Sequence, residues 1–364
     1  MKFKRKEGIT LIALVITIII LLILAGISIS ALSGSGLFKN AQLAKEKSKN
    51  AQDDENVKLE EYEGWLGNYT GGNSTSGGKQ TTLASKVKVG EYVTYTPDTA
   101  STTDILNELA TYSGSTSNST STLSQEAGLK WRVLDVSDGK VRLISEVPTT
   151  STVSLQSYNG YNNAVYLLDK TCKTLYSKTG YSENVQNLKI EDIKKYMVTK
   201  PTDDTNTYSP VNLKYPSILA QEENQMVNGK TGTLGLSKQE TPINQTEAKT
   251  ATSLTLKNTF WSKEVKSSSE FSNPIYYDLF FHSGYCWLSS RCLNTEGGSG
   301  VIYNAVYRVR MISYNTIASE YITQSVDLSG TDKSHNFRPV VTLNSNVVIK
   351  SGEGTQSSAY EIGL

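Results

Sequence analysis

Hydrophobic positions divide the chain into two unequal parts. From Ile9 to Leu32 the sequence runs 24 residues without a charge. As α-helix that run extends about 36 Å, against a hydrocarbon core of about 30 Å, so it is predicted to be a tilted membrane-spanning helix. Ser33-Gly34-Ser35-Gly36 softens the helix where it leaves the bilayer, since each glycine costs about 1 kcal/mol against alanine. Helix formers without proline follow from Leu37 to Leu66. Leu37, Ala41, Ala44, Ala51, Tyr62 and Trp65 stand at helical spacing and predict a stalk over residues 33–66. Lys39, Lys45, Lys47 and Lys49 lie ahead of Asp53, Asp54, Glu55, Glu60, Glu61 and Glu63. Such segregation is either an ordinary solvated surface or a way to pair staggered helices. Residues 67–81, rich in Gly, Ser, Thr and Asn, read as a flexible linker.

Beyond the linker the period changes. Val87 to Tyr95 alternates apolar and polar residues, which predicts a strand. Trp131–Val136 and Lys140–Glu146 flank Ser137-Asp138-Gly139, and Asp-Gly between β-rich runs predicts a hairpin. Ala164, Val165, Leu168, Cys172 and Leu175 repeat at helical spacing, with Asn162 or Asn163 as the expected cap. A short second helix is predicted at Ile190–Met197. Gly284–Arg291, Val301–Ile312 and Asn336–Leu343 read as strands, and Pro339 should confine the last to a sheet edge or to its first position. Two polar stretches interrupt this order and are predicted to be insertions. One, at about 99–125, is Ser/Thr-dominated with a short helical piece near Ile105–Leu109; the other spans about 201–252. The expected fold class is α+β, with a single β-rich domain over residues 82–364.

Charge adds direction. Lys2, Lys4, Arg5 and Lys6 precede the apolar run, so the N-terminus is expected in the cytoplasm and the C-terminal domain outside the cell. The expected location is the cell membrane, crossed once, with the lipid bilayer as a partner. A secretory signal peptide cut after Ile29-Ser30-Ala31 is an alternative, although such apolar regions are usually shorter. A plain uncleaved anchor is another. The whole chain carries a net charge of +1, so no strong field points to nucleic acid and none is predicted as a partner.

Glu7-Gly8 followed by Ile9-Thr10-Leu11-Ile12-Ala13-Leu14 resembles the leader of type IV pilins. The resemblance implies cleavage between Gly8 and Ile9 by a prepilin peptidase, methylation of Ile9, and assembly with other pilin-like subunits. That family usually carries Glu at the fifth mature position, which here is Ala13. The missing carboxylate removes an assembly contact, and so favours a minor pilin, a pseudopilin or a displayed adhesin over a major pilus subunit.

Candidate chemistry is sparse. In an exported protein Cys286 and Cys292 are a candidate disulfide, which would close only a short loop, or else two free thiols. Cys172, at an apolar helix position, reads as core. His282 and His335 stand apart in sequence, outside any metal-ligand spacing, and read as partly exposed loop residues. Asp327 to Asp332 reads as an ordinary turn. Neither a metal nor a cofactor is expected. Arg291 and Arg338 are assigned to scaffold, where a planar guanidinium satisfies several loop carbonyls. Tyr276, Tyr277, Tyr285, Trp287, Tyr303, Tyr307, Tyr314 and Tyr321 form an aromatic cluster in sequence. Tyr is used on binding surfaces because it offers amphipathic area at low entropic cost. Tyr285, Trp287, Tyr303, Tyr307 and Tyr314 are the expected contacts to an extracellular ligand.

Trp131-Arg132-Val133-Leu134-Asp135-Val136, the helix ending Cys172-Lys173-Thr174-Leu175-Tyr176-Ser177, Tyr285-Cys286-Trp287-Leu288-Ser289-Ser290-Arg291 and Phe337-Arg338-Pro339-Val340-Val341-Thr342-Leu343 recur together. The set resembles an uncharacterised domain of surface and phage-encoded proteins of Gram-positive bacteria. That domain is similar to the formylglycine-generating-enzyme variant of the C-type lectin fold. The resemblance covers roughly Lys88 to the C-terminus and implies a twisted antiparallel sheet, two helices and long loops. The Glu-Pro-Asn and Trp-Asn-Asp signatures of calcium-dependent lectins are missing, so calcium-mediated sugar binding is not implied. A thiol-dependent oxidase using Cys286 and Cys292 is the enzymatic alternative, with a cysteine spacing that departs from the family's. The expectation is a binding or assembly protein at the cell surface without catalysis; a component of a secretion or DNA-uptake pseudopilus is a further alternative.

Overall fold

Asp138 and Gly139 turn the chain as their chemistry predicts. Both adopt positive φ, 53° and 72°, the backbone of a two-residue hairpin loop. In the computed structural model, described residues are 81–119, 123–203, 207–208, 213–245, 247–281, 284–298, 301–325 and 330–364. They belong to a unit running from Lys79 to Leu364. The predicted leader, membrane helix, stalk and linker, with Gly8, Ile9 and Ala13, lie outside the described residues, as do His282 and Asp327.

The first half of the unit runs α1 (Leu83–Lys86), β1 (Tyr92–Thr94), α2 (Thr103–Tyr112), β2 (Trp131–Ser137), β3 (Lys140–Ser145), β4 (Thr152–Leu155), α3 (Ser157–Tyr176), β5 (Ser182–Asn187) and α4 (Ile190–Tyr196). The second half runs β6 (Lys263–Glu264), α5 (Ile275–Phe280), β7 (Tyr285–Gly298), β8 (Val301–Ser313), β9 (Thr316–Gln324), β10 (Lys333–Asn336), β11 (Pro339–Leu343), β12 (Val348–Ser351) and β13 (Tyr360–Gly363). A small four-stranded sheet, in which Leu254–Lys257 pairs with Met226–Val227, and a two-stranded one occupy the stretch between the halves.

The fold is α+β and mostly sheet. One sheet has the order β12-β13-β1-β2-β3-β11-β5, and the other β6-β9-β8-β7-β10-β4. The expected single antiparallel sheet is therefore two large sheets, each mixed, beside the two small ones. β1 runs parallel to β13, and β7 parallel to β10. The expected two helices are joined, among the described residues, by α1, α2 and α5. Pro339 opens β11, which pairs with β3 on one side and β5 on the other. As the first strand residue it removes no interior ladder bond.

Helix α3 packs on strands of both sheets. Its Tyr161, Ala164, Leu168, Cys172 and Leu175 share a buried cluster with Trp131, Val133, Leu143, Trp287, Tyr307, Val309 and Val341. Each fully buried Leu or Val there contributes about 1.5–3 kcal/mol. A second cluster, around Leu134, Ile144, Ile193, Leu279, Phe280, Leu288 and Ile312, brings in α4 and α5. Strands β2, β3, β7, β8 and β11 supply side chains to both clusters, so both of their faces are covered.

Two expectations are corrected here. Asn162 and Asn163 do not cap α3, which begins at Ser157. They are fully buried inside it and hold the following loop. Asn162 Oδ1 accepts from the Ile218 N–H at 2.9 Å, and Asn163 Oδ1 from the Ile243 N–H at 2.7 Å. Nor are the two polar stretches excursions. Ile105 and Leu109 on α2, and Ile218 and Leu219 in the second stretch, are fully buried in the main core. Several of their few apolar residues are spent inward, which a polar average along the chain conceals.

Candidate functional site

Alternation along β7 and β8 sorts the predicted aromatic contacts. Trp287 pairs with Met311, and Leu293 with Tyr307. These positions face α3, and Trp287 and Tyr307 have no exposed surface. Trp287 Nε1 donates to Val153 O at 2.8 Å, and Tyr307 Oη to Lys214 O at 3.0 Å. Both are core residues, contrary to the ligand role expected of them. The polar end of each ring finds a carbonyl, as a buried Trp or Tyr requires. Burial also drives the Tyr307 hydroxyl pKa well above its ordinary value. Tyr303 lies on β8, but its side chain is outside what is described. Tyr276 is buried and stacks on Tyr196 at 3.8 Å.

Tyr285 and Tyr314 are different. They are 42% and 54% exposed, and their rings meet edge to face at 5.4 Å. Tyr285 opens β7, and Tyr314 occupies the two-residue loop between β8 and β9. Its N–H donates to Gly284 O at 3.0 Å. Tyr314 has φ 54°, a left-handed backbone that a bulky L-residue adopts only at a cost of about 1–2 kcal/mol. Glycine would suit that loop position without strain. An exposed aromatic ring is held there instead.

His335, on β10, completes the patch. Its ring stacks 5.5 Å from Tyr285 and meets Trp287 edge-on at 4.5 Å. Its Nε2 is 3.6 Å from Glu320 Oε1, beyond hydrogen-bond length, and has no hydrogen-bond partner among the described residues. Lys333 pairs with Glu320 at 3.3 Å. His335, expected in a loop, lies on a strand instead. Only the parallel pairing of Cys286 with Asn336 brings it beside Tyr285.

The remaining candidates are structural. Arg338 is fully buried and donates to three carbonyls: Ser145 O at 3.0 and 2.8 Å, Glu146 O at 2.8 Å and Phe280 O at 3.2 Å. Arg291, also fully buried, pairs with Glu222 and donates to Gln239 Oε1 at 3.0 Å and Lys238 O at 3.3 Å. Cys172, Cys286 and Cys292 are free and buried, so the candidate disulfide is not formed. Cys286 and Cys292 lie on one extended strand, opposite Ile312 and Arg308. At about 3.3 Å rise per residue their Cα atoms are well beyond the roughly 7 Å a disulfide tolerates. Burial pushes the Cys286 thiol up to about 11, and a thiol nucleophile needs the opposite shift. Asp332 accepts hydrogen bonds from Ser115 and Ser117 in the loop after α2.

Compared with protein-family models, with curated proteins and with solved structures, the chain matches none of them.

Proposed function

We propose that this is a pilin-like surface protein that carries a ligand-binding domain outside the cell and performs no catalysis. The prepilin peptidase cuts between Gly8 and Ile9, residues 9–32 anchor the chain in the bilayer, and the stalk and linker carry the domain outward. Ala13 in place of the usual Glu favours a minor or displayed component over a major pilus subunit. The α+β body, with its two helix-covered mixed sheets, supports a C-type lectin-like reading with extra elements.

The ligand surface is the Tyr285–Tyr314 patch, and its occupant is a glycan whose apolar ring face lies on the tyrosines. The observation that carries this reading is Tyr314, an exposed ring on a left-handed backbone beside a second exposed ring. Strain retained at an exposed aromatic marks a position kept for something other than stability. The partly exposed Lys333–Glu320 pair supplies a donor and an acceptor beside the patch for a sugar hydroxyl.

A glycan array probed with the full-length protein in nanodiscs tests this. Binding should be lost in Tyr285→Ala and in Tyr314→Gly, and retained after substitution of an exposed residue elsewhere, such as Val198→Ala. Equal binding by all three variants removes the patch from the proposal. Mass spectrometry of the mature N-terminus decides the leader: a methylated Ile9 supports it, and an intact Met1 or a cut after Ala31 overturns it.

A further inference from the structure

Along β8, Tyr307, Val309 and Met311 point into the α3 core, so Arg308 and Arg310 point the other way. There they meet Phe260 and Trp261. Arg308 Cζ lies 5.1 Å from the Phe260 ring centre, and Arg310 Cζ 4.0 Å from that of Trp261. Arg310 is only 2% exposed. It donates to Trp261 O at 3.3 Å and to Thr259 O at 2.6 Å, and to no carboxylate among the described residues. A guanidinium carries more donors than these bonds use.

Arg310 and Trp261 form one wall of a cleft of about 400 Å³, which α4 borders on the other side. Lys194 on α4 places its Nζ 5.5 Å from the Trp261 ring centre, and Lys200 lines the same space. Two other cations there are already neutralised, Lys195 by Asp135 and Arg291 by Glu222. The acids of the lining are turned to other donors. Asp203 Oδ1 accepts from Trp261 Nε1 at 3.1 Å, and Glu191 Oε1 from Ser237 Oγ at 2.8 Å. Lys194, Lys200 and Arg310 therefore gather in one concave site without an ion-pair partner among the described residues.

We infer that this cleft binds a small ligand through an oxyanion, either a carboxylate or a phosphate group. Lys194, Lys200 and Arg310 outnumber the two carboxylates of the lining that no cation pairs, Asp203 and Glu191, and the positive charge left over against low-dielectric walls favours an anion. The Arg310 guanidinium, fixed by two carbonyls and the indole face, is preorganised to donate to oxygen. The volume lies within the range of about 300–1,000 Å³ common to small-ligand sites. Leu236 supplies an apolar wall for the body of the ligand. The inference is independent of the tyrosine patch.

Calorimetric titration of the full-length protein in nanodiscs tests it, with sodium glucuronate, inorganic phosphate and glucose as probes. At least one charged probe should bind saturably, more weakly at high salt, while glucose does not. The tighter of the charged two identifies the group. Lys194→Glu should weaken binding by about tenfold or more, and Tyr285→Ala should leave it unchanged. Lys200→Glu gives a second test on an exposed side chain and should also weaken binding. The inference is overturned if neither charged probe binds saturably, if glucose binds as tightly, or if both Lys variants bind like the parent.

Discussion

Arg291 and Glu222 form an ion pair in which neither side chain has any exposed surface. Arg291 comes from β7, and Glu222 from the stretch expected to be a polar insertion. Tyr161 Oη on α3 donates to the second Glu222 oxygen at 3.1 Å. Burial pushes the Glu222 carboxyl up, and the charge of Arg291 and the bonds from Arg291 and Tyr161 oppose that shift. Strand, helix and inserted loop thus meet at one carboxylate.

Removing one partner should be costly. Arg291→Met leaves a buried carboxylate unpaired and is expected to destabilise the domain by about 3–5 kcal/mol, a large part of the roughly 5–15 kcal/mol typical of a domain. Arg291→Met with Glu222→Leu should recover most of that loss. Urea denaturation midpoints measure both. A single variant that loses under about 1 kcal/mol would show that the pair holds nothing together.

Acid should loosen α4 from the hairpin. Arg142 on β3 pairs with Asp135 on β2 and with Asp192 on α4, both at 2.5 Å. Burial works to raise the Asp135 carboxyl, but Arg142, with Tyr196 and Lys195, holds it down at about 2. A depressed folded-state pKa stabilises above the unfolded value, near 3.8, and that stability is lost as pH falls toward the folded one. The loss should amount to about 2 kcal/mol, spread between about pH 4 and pH 2. Melting temperatures from pH 6 to pH 2 should decline over that window, and Arg142→Met should flatten the decline.

Tyr314 and Tyr307 should respond oppositely to truncation. Tyr314→Gly removes the left-handed strain and is expected to leave stability unchanged or raise it by up to about 1 kcal/mol. Tyr307→Ala opens a cavity against α3 and should cost about 3–5 kcal/mol. Thermal melts of the two variants separate a surface aromatic from a core one. A large loss in Tyr314→Gly would mean that its ring supports the hairpin.

The thiols should be closed to reagents. Three cysteines are present, and all are buried and free. The folded protein, without reductant, should react slowly with a thiol reagent, and the denatured protein should titrate three thiols. A single titratable thiol after denaturation would indicate the Cys286–Cys292 bond that the strand geometry forbids.

Much of this was legible from local chemistry. The Asp138-Gly139 hairpin, α4, the end of α3 at Tyr176 and the start of β11 at Pro339 follow from turn residues, period and the missing proline N–H, all of which act within a few residues. The start of α3 is not legible locally, because Asn162 and Asn163 have good capping chemistry and only a distant loop reveals their other use.

By itself, then, the sequence determined where the chain alternates, where it turns and which residues can bear chemistry. Tertiary structure alone decided which of them face solvent. Alternation of period two reveals an inward face only when the other face is wet. Here helices cover both faces of the central strands, so Trp287 and Tyr307 are core while Tyr285 and Tyr314, near the strand ends, remain exposed. Burial is a property of what packs across a residue, and for β7 and β8 those neighbours come from segments far away in the chain.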